Sequence, residues 1–328
     1  MATLVAVAAA LAARGVLAHH SPAGYDMQVE QTLVGTVTEY DWGNPHVYLS
    51  VREAPGDRIW VVEAFASTAM KGYGWSPTTF ATGDRVVVTG RPGRGGRSSL
   101  FLETVRKADT TALLFDSAVL RSAAPPIPTR PASSVFGTWL TLVGPAFFSL
   151  IPPAVIQAAT PRGAAALAEF RDAQGPGAEC VPYTAPLYMS FPGFRRIESR
   201  DDVVVIRGED SAVDRVVHLD VATHEGAAPS LQGHSIGRWE DGALVVDTAL
   251  FTPHQLGNGA GLPSGAGKRL IERFELNAEG GLTYTFALED PEFVKVRMTS
   301  TAQWVSRPDA EFEVTPCDRT NARRFLAE

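Results

Sequence analysis

Glycine and proline interrupt this chain so often that few segments have room for a long helix. Thirty glycines and 23 prolines are spread through 328 residues, and between them stand short runs in which apolar and polar residues alternate. A strand turns successive side chains to opposite faces, so alternation with period two buries one face of a sheet. Glycine takes the positive φ that tight reversals need, and Asp favours turns through local hydrogen bonds. Residues 238–246, Arg-Trp-Glu-Asp-Gly-Ala-Leu-Val-Val, show both signals in sequence: a strand, a tight turn around Asp241-Gly242 and a second strand. The predicted fold class is mainly β.

The length allows about two domains, and the strand signals fall into two groups. Residues 33–40, 46–52, 59–64, 85–90 and 99–105 read as five short strands, with one helical or loop crossing at 66–74. That arrangement suits a small OB-like β-barrel, assigned to residues 19–107. Residues 108–131 read as a linker, because Ala, Ser and Pro accumulate around residues 123–128 and favour extended chain. The second module, residues 132–328, carries strands at 202–207, 214–219, 233–239, 243–248, 269–276, 282–288 and 293–305. Its run of hairpins, opening with Gly137-x-Trp139, predicts a lipocalin-like antiparallel barrel or a two-sheet sandwich; strand order is not readable at this level.

The first 18 residues are expected to be a signal peptide. Residues 3–13 form an apolar, Ala-rich core, and Val16-Leu17-Ala18 is a small-residue cleavage pattern, after which polar sequence begins at His19. Arg14 follows the apolar run, although a basic residue ordinarily precedes it; a buried N-terminal helix is the alternative. Export places the protein in the periplasm or outside the cell. There the two cysteines, Cys180 and Cys317, are free to pair; two separate buried thiols are the other possibility. Residues 131–161 carry no charge, but Pro145 and Pro152-Pro153 break any helix there, so no stable membrane span is expected. The formal charge of -7 argues against nucleic acid. Trp42, Tyr48, Trp60 and Trp75 lack the accompanying cations of a stacking platform and read as core or rim aromatics.

Two stretches carry a resemblance. His19-His20-Ser21, residues 32–38 (Thr-Leu-Val-Gly-Thr-Val-Thr), Asn44-Pro45-His46-Val47, Gly74-Trp75-Ser76, Gly83-Asp84-Arg85-Val86 and Gly90-Arg91-Pro92 are similar to the DUF6152 family, exported bacterial proteins of unknown function. Residues 180–317, with Gly-His-Ser-Ile-Gly-Arg-Trp-Glu at 233–240 as the densest motif, resemble a region found in other exported hypothetical proteins. The resemblance implies export and a β-rich build. It brings no activity and no catalytic residue.

Candidate chemistry therefore rests on the residues themselves. Gly233-His234-Ser235-Ile236-Gly237 fits the spacing of a nucleophile elbow, but that motif needs a helix after the second glycine, and here a strand follows. Residues 259–268, glycine-rich and ending in Gly267-Lys268, lack the phosphate-loop spacing and read as a mobile surface loop. His218, His224, His234 and His254 lie within one stretch with Asp220, Glu240 and Asp247 nearby. Two or three of these histidines could serve as acid and base in a cavity of the second module; His218, His234, Glu240 and Asp247 are the favoured groups. Solvent-facing or core histidines are the plainer alternative. After cleavage, the α-amino group and imidazole of His19, with His20 and His46, are candidate ligands for copper; the plainer alternative is a disordered terminus. The leading expectation is a barrel that binds a small, largely apolar molecule. A lyase, isomerase or hydrolase working through His with Asp or Glu, without an organic cofactor, is the alternative, and a copper-binding protein the third.

Overall fold

The computed structural model describes residues 24–118, 130–170, 175–210 and 213–325. The expected signal peptide, His19 and His20 lie outside them. In the first region β1 (Gln31–Asp41) pairs antiparallel with β2 (Tyr48–Glu53) and β4 (Arg85–Pro92); β2 continues to β3 (Ile59–Glu63) and β4 to β5 (Ser99–Lys107). A parallel pairing of β3 with β5 closes these five strands into a barrel, the OB-like arrangement the strand count predicted. Alternate residues Leu33, Val37, Leu49, Val51, Val62, Val86, Val88, Leu100 and Leu102 fill it. The crossing between β3 and β4 contains α1 (Ser67–Lys71). Tyr48, Trp60 and Trp75 are buried, so these rings belong to packing. The sheet runs past Lys107 into the expected linker: β6 (Phe115–Asp116) adds to β5 and Phe115 packs in the same core.

Nine strands close the second barrel. In spatial order they begin with β10 (Arg215–His218), β11 (His234–Glu240), β12 (Ala243–Ala249), β15 (Arg269–Leu276) and β16 (Leu282–Glu289). The circuit continues through β17 (Met298–Ser306), β7 (Gly137–Thr141), β8 (Gly193–Arg200) and β9 (Val203–Gly208). Closure settles the choice between barrel and sandwich. Every neighbouring pair is antiparallel except β10 and β11, which run parallel. Parallel neighbours cannot be joined by a tight turn, so residues 219–233 cross over between them. Four short helices, α2 (Pro145–Ser149), α3 (Ala154–Ala158), α4 (Pro161–Glu169) and α5 (Leu187–Ser190), precede or interrupt the strands, and no helix among the described residues is long and apolar enough to cross a membrane.

The interior of this barrel, where an apolar ligand was expected, is filled by the protein's own side chains. Trp139, Phe274, Tyr284, Phe286 and Trp304 are at most 1% exposed. Tyr284 stacks on Trp304 with ring centroids 5.6 Å apart and lies 5.1 Å from Phe274. Beside them sits a buried ion pair: Arg215 Nη1 donates to Glu272 Oε1 at 2.8 Å, Nη2 donates to Thr248 Oγ1 at 2.8 Å, and Tyr284 donates its hydroxyl to Glu272 at 2.8 Å. Close packing at crystal-like density is the usual state of such a core.

Residues 259–268 differ from expectation. They belong to a ribbon of β13 (His254–Gly259) and β14 (Leu262–Ser264) and the turn after it, with Leu262, Ser264 and Lys268 buried. Lys268 points its ammonium at Thr184 Oγ1 and the carbonyls of Ala185 and Gly257. Three acceptors satisfy its three protons, and this internal binding replaces the solvated loop that the glycines suggested. The strand expected at 293–305 begins only at Met298, because Phe293 and Val294 instead pack with Val155, Ala158 and Leu262.

The last segment turns back to the first barrel. Cys317 is bonded to Cys180, and α6 (Arg319–Ala322) lies against the β1–β2 loop. Asn321 Nδ2 donates to His46 O at 2.9 Å, Asn44 Nδ2 donates to Thr315 O at 2.7 Å, and Arg324 pairs with Asp41 at 3.1 Å.

Candidate functional site

Burial alternates along β10 and β11 so that Arg215, Val217 and Ser235 face the barrel interior while Val216, His218 and His234 face outward. The crossover 219–233 returns over this outer wall, and His224 within it meets His234. Gly233, with φ +72°, makes the turn into β11, where a Cβ would also stand 2.7 Å from Thr248 Cγ2. Gly237 faces inward, and a Cβ there would stand 2.7 Å from Val217 Cγ1 and 2.9 Å from Leu219 Cδ2. Both glycines of the Gly-x-Ser-x-Gly pattern thus have packing or backbone reasons. Ser235 between them is buried and exchanges a 2.8 Å hydrogen bond with Thr248 Oγ1, which is no position for a nucleophile.

The outward-facing groups form a connected line. His224 Nδ1 and His234 Nδ1 are 2.9 Å apart, His218 stacks on His234 with centroids 5.0 Å apart, and His224 Nε2 lies 3.7 Å from Asp247 Oδ1. Arg269 holds the other Asp247 oxygen at 2.6 Å. One of the two facing Nδ1 atoms must donate and the other accept. With a proton on His224 Nε2, that N–H faces the Asp247 carboxylate at 3.7 Å, an electrostatic contact beyond hydrogen-bond distance. His224 Nδ1 then accepts from His234 Nδ1–H, and the lone pair of His234 falls on Nε2. Burial, followed by the neighbouring His218 and His224, lowers the His234 pKa below the ordinary imidazole value, so the ring is neutral at pH 7. Burial raises Asp247, but hydrogen bonds and charge from Arg269, with His224, outweigh it and leave that carboxyl below its ordinary range.

His234 and His218 line one wall of an open cleft of about 380 Å³, with Val213, Val216, Leu231 and Gln232 among its other residues. Gln232 Nε2 donates to Tyr183 O at 2.9 Å, while its Oε1 is buried without a hydrogen-bond partner. The cleft therefore joins apolar side chains to hydrogen-bonding groups and to the Asp214 carboxylate, which Arg207 holds at 2.7 Å. Of the predicted acid–base residues, His218, His234 and Asp247 come together, on the outside of the barrel. Glu240 does not: it lies six residues along β11 from His234, roughly 20 Å at strand rise, and pairs with Arg238 and Arg273. His224, one of the four histidines of this stretch but not one of the four favoured groups, completes the cluster. It sits in an irregular crossover, where no periodicity aims a side chain.

His254 belongs elsewhere, at the start of β13, where its Nδ1 accepts from Leu256 N at 3.0 Å. Burial, aided by the Lys268 charge, lowers its pKa to about 4. A histidine depressed in the folded state contributes stability that is fully present above the unfolded value of about 6.5 and lost as pH falls through 4. Acidification from pH 7 to 4 should remove ~3 kcal/mol through this residue. Denaturant titrations at pH 7, 5 and 4 check it: His254→Gln should flatten the decline, and an equally steep decline in that variant would reject the assignment.

His46 stands far from this cluster in the chain, in the loop before β2 of the first barrel. Its Nδ1 lies 3.1 Å from Glu63 Oε1 and 3.2 Å from Ala64 O. Among the described residues, no three or more His, Cys, Asp or Glu are grouped to hold a metal ion; the other candidate ligands, His19 and His20, lie outside those residues.

Two closed barrels, one of OB type and one of nine strands with a histidine cleft on its wall, define the class of protein. Residues 6–101 match the family model of DUF6152, a family of unknown function. No curated protein matches the chain.

Proposed function

We propose that this is an exported protein, periplasmic or secreted, whose second barrel binds a small molecule in the cleft beside His218 and His234. The observation that carries the reading is the line Asp247–His224–His234 along a cleft that also presents Val213, Val216 and Leu231. Apolar walls with a few convergent polar groups are the usual make-up of a ligand site. The ligand is partly apolar, with a donor group for Gln232 Oε1 or His234. The Arg215 guanidinium, although Arg215 lines the cleft, is turned inward and bound to Glu272, so it is not offered to an anion. The Cys180–Cys317 disulfide supports export, since such bonds persist in oxidising compartments.

A second reading, acid–base turnover of that molecule, is favoured by the proton arrangement. It leaves a neutral His234 as base, with Asp247 stabilising through His224 the charge that develops when His234 takes a proton. Detergent-free purification and mass spectrometry should find a small molecule bound to the wild-type protein and absent after His234→Ala. Repeated absence from the wild type rejects the binding site. If turnover is found, His234→Ala should lower it by roughly 10²–10⁴-fold while the fold is retained, because the side chain lies outside the barrel core. Activity should fall on the acid side only below the ordinary imidazole pKa near 6.5, since His234 is depressed. An acid limb above that pH would exclude His234 as the base.

A further inference from the structure

Donors and acceptors are unequally committed in the cleft of the second barrel. Among its side chains, the Ser230 hydroxyl donates to Gly233 O at 2.8 Å and Gln232 Nε2 donates to Tyr183 O at 2.9 Å. The Arg215 guanidinium is taken up by Ser235, Thr248 and Glu272 inside the barrel. His234 directs its Nδ1 proton at His224. Apart from the His218 ring, the side-chain donors of the lining are thus committed within the protein.

The acceptors stand open. Gln232 is 5% exposed, and its Oε1 is buried without a hydrogen-bond partner. Tyr183 O can only accept, so the amide nitrogen faces it and the amide oxygen is left over. Asp214 receives both Arg207 bonds, from Nε at 2.9 Å and Nη2 at 2.7 Å, on the single oxygen Oδ2. Its Oδ1 accepts no hydrogen bond from the described residues. The strand register brings these two acceptors to one end. β10 and β11 run parallel with Val217 paired to Ser235, and counting back three residues on each side brings Asp214 level with Gln232. Counting back one residue brings Val216 level with His234. Outward residues recur at every second position, roughly 7 Å apart, so the wall runs from Asp214 over exposed Val216 to His218.

A hydroxyl or an amide would bring acceptors of its own into a cleft whose side-chain donors are mostly spent, and an unpaired acceptor costs free energy. An ammonium has three donors and no acceptor. Its hydrogen bonds to a carboxylate are charge-assisted and roughly twice as strong as neutral ones. Arg207 offsets part of the Asp214 charge, so the preference rests on the open acceptors and not on a net field. We infer that the cleft takes a primary amine in its ammonium form: the ammonium donates to Asp214 Oδ1 and Gln232 Oε1, and an apolar body lies along Val216 and Leu231 toward His234. The inference rests on the proposed binding role of the cleft and narrows its ligand to one chemical class.

The test is titration of the full-length protein at pH 7 with n-hexylammonium, 1-hexanol and hexanoate, which share one apolar body, followed through the NMR ring signals of His218 and His234. Hexylammonium stays protonated there, as a lysine side chain does. It should bind roughly 10-fold more tightly than 1-hexanol, and hexanoate should bind more weakly than either. Asp214→Asn alters a side chain that is 39% exposed, so the fold is retained. That variant should lose roughly 10-fold in affinity for hexylammonium and none for 1-hexanol. 1-Hexanol or hexanoate bound as tightly as hexylammonium, or an undiminished preference in Asp214→Asn, overturns the inference and leaves the cleft a binding site. Histidine signals that none of the three probes moves overturn it as well; the co-purified molecule then decides separately whether the cleft binds a ligand of another class.

Discussion

Replacing Glu272 by Ala should destabilise the second barrel by about 3–5 kcal/mol, the cost of leaving a buried guanidinium without its counter-charge. Arg215 and Glu272 are both at most 1% exposed. The guanidinium is bound by Glu272 in β15, Thr248 in β12 and Ser235 in β11. Tyr284 from β16 donates to the same carboxylate, so truncation of Glu272 orphans two donors together. Burial pulls the Arg215 pKa down, but the Glu272 charge and hydrogen bonds more than reverse it, which keeps the guanidinium charged. The pair is a poor source of net stability compared with well-packed apolar groups of similar volume. Arg215→Met with Glu272→Leu should therefore recover most of the loss seen in Glu272→Ala. Equilibrium denaturation of the three proteins measures this. A loss below about 1 kcal/mol for Glu272→Ala, within the ordinary range for exposed ion pairs, would mean that water reaches the guanidinium.

Removal of the disulfide should have the next largest effect, and it should change how the protein unfolds as well as when. Cys180 and Cys317 close a loop of sequence separation 137, for which chain entropy gives about 4–5 kcal/mol. The bond also holds the final segment between the barrels. On one side Glu179 pairs with Arg319 and Arg323; on the other Asn321, Asp318 and Arg324 bind the β1–β2 region. A second tie joins the barrels directly: Lys71 of α1 pairs with Glu209 at 2.8 Å, and the Glu313 amide donates to the same carboxylate. Cys180→Ser with Cys317→Ser should lower stability by about 2–5 kcal/mol, separate the calorimetric transitions of the two barrels and expose residues 307–325 to protease. A single unshifted transition would show that the terminal segment is held by its polar contacts alone.

Much of the fold was legible because its signals are local. The five strands of the first barrel and most of the second alternate apolar residues on one face, and their turns carry Gly and Asp, as at Asp241-Gly242 with φ of 51° and 82°. β8 is not legible in the sequence because an inward position is taken by Arg195, fully buried and bonded to Tyr188 O at 2.7 Å and Asp210 at 3.0 Å. A charge at a core position erases the alternation that marks a strand. Residues 259–268 read as loop for a related reason: their glycines signal flexibility locally, yet Asn258 and Asp290 bind the ribbon down from a distance, Asn258 Nδ2 donating to Asp290 Oδ2 at 2.8 Å.

The candidate site was half legible. Residue parity along β10, β11 and β12 decides which side chains share a face, and it groups Val216 with His218 and sets His234 apart from Ser235. It does not say which face closes inward. Arg215, Ser235, Thr248 and Glu272 look like surface residues and are buried, whereas His218, His234 and Asp247, expected around a cavity, stand on the outer wall. The sequence by itself determined the β class, most strand positions, the turns and the residue types available for proton transfer or metal binding, since these depend on neighbours a few positions apart. Only the tertiary structure decided the parallel β10–β11 junction, the crossover that lays His224 on His234, the Glu63 carboxylate behind His46 and the return of the C-terminal segment to the first barrel. Those depend on which polar groups can satisfy one another once the barrels close, and residues tens to hundreds of positions apart meet only then.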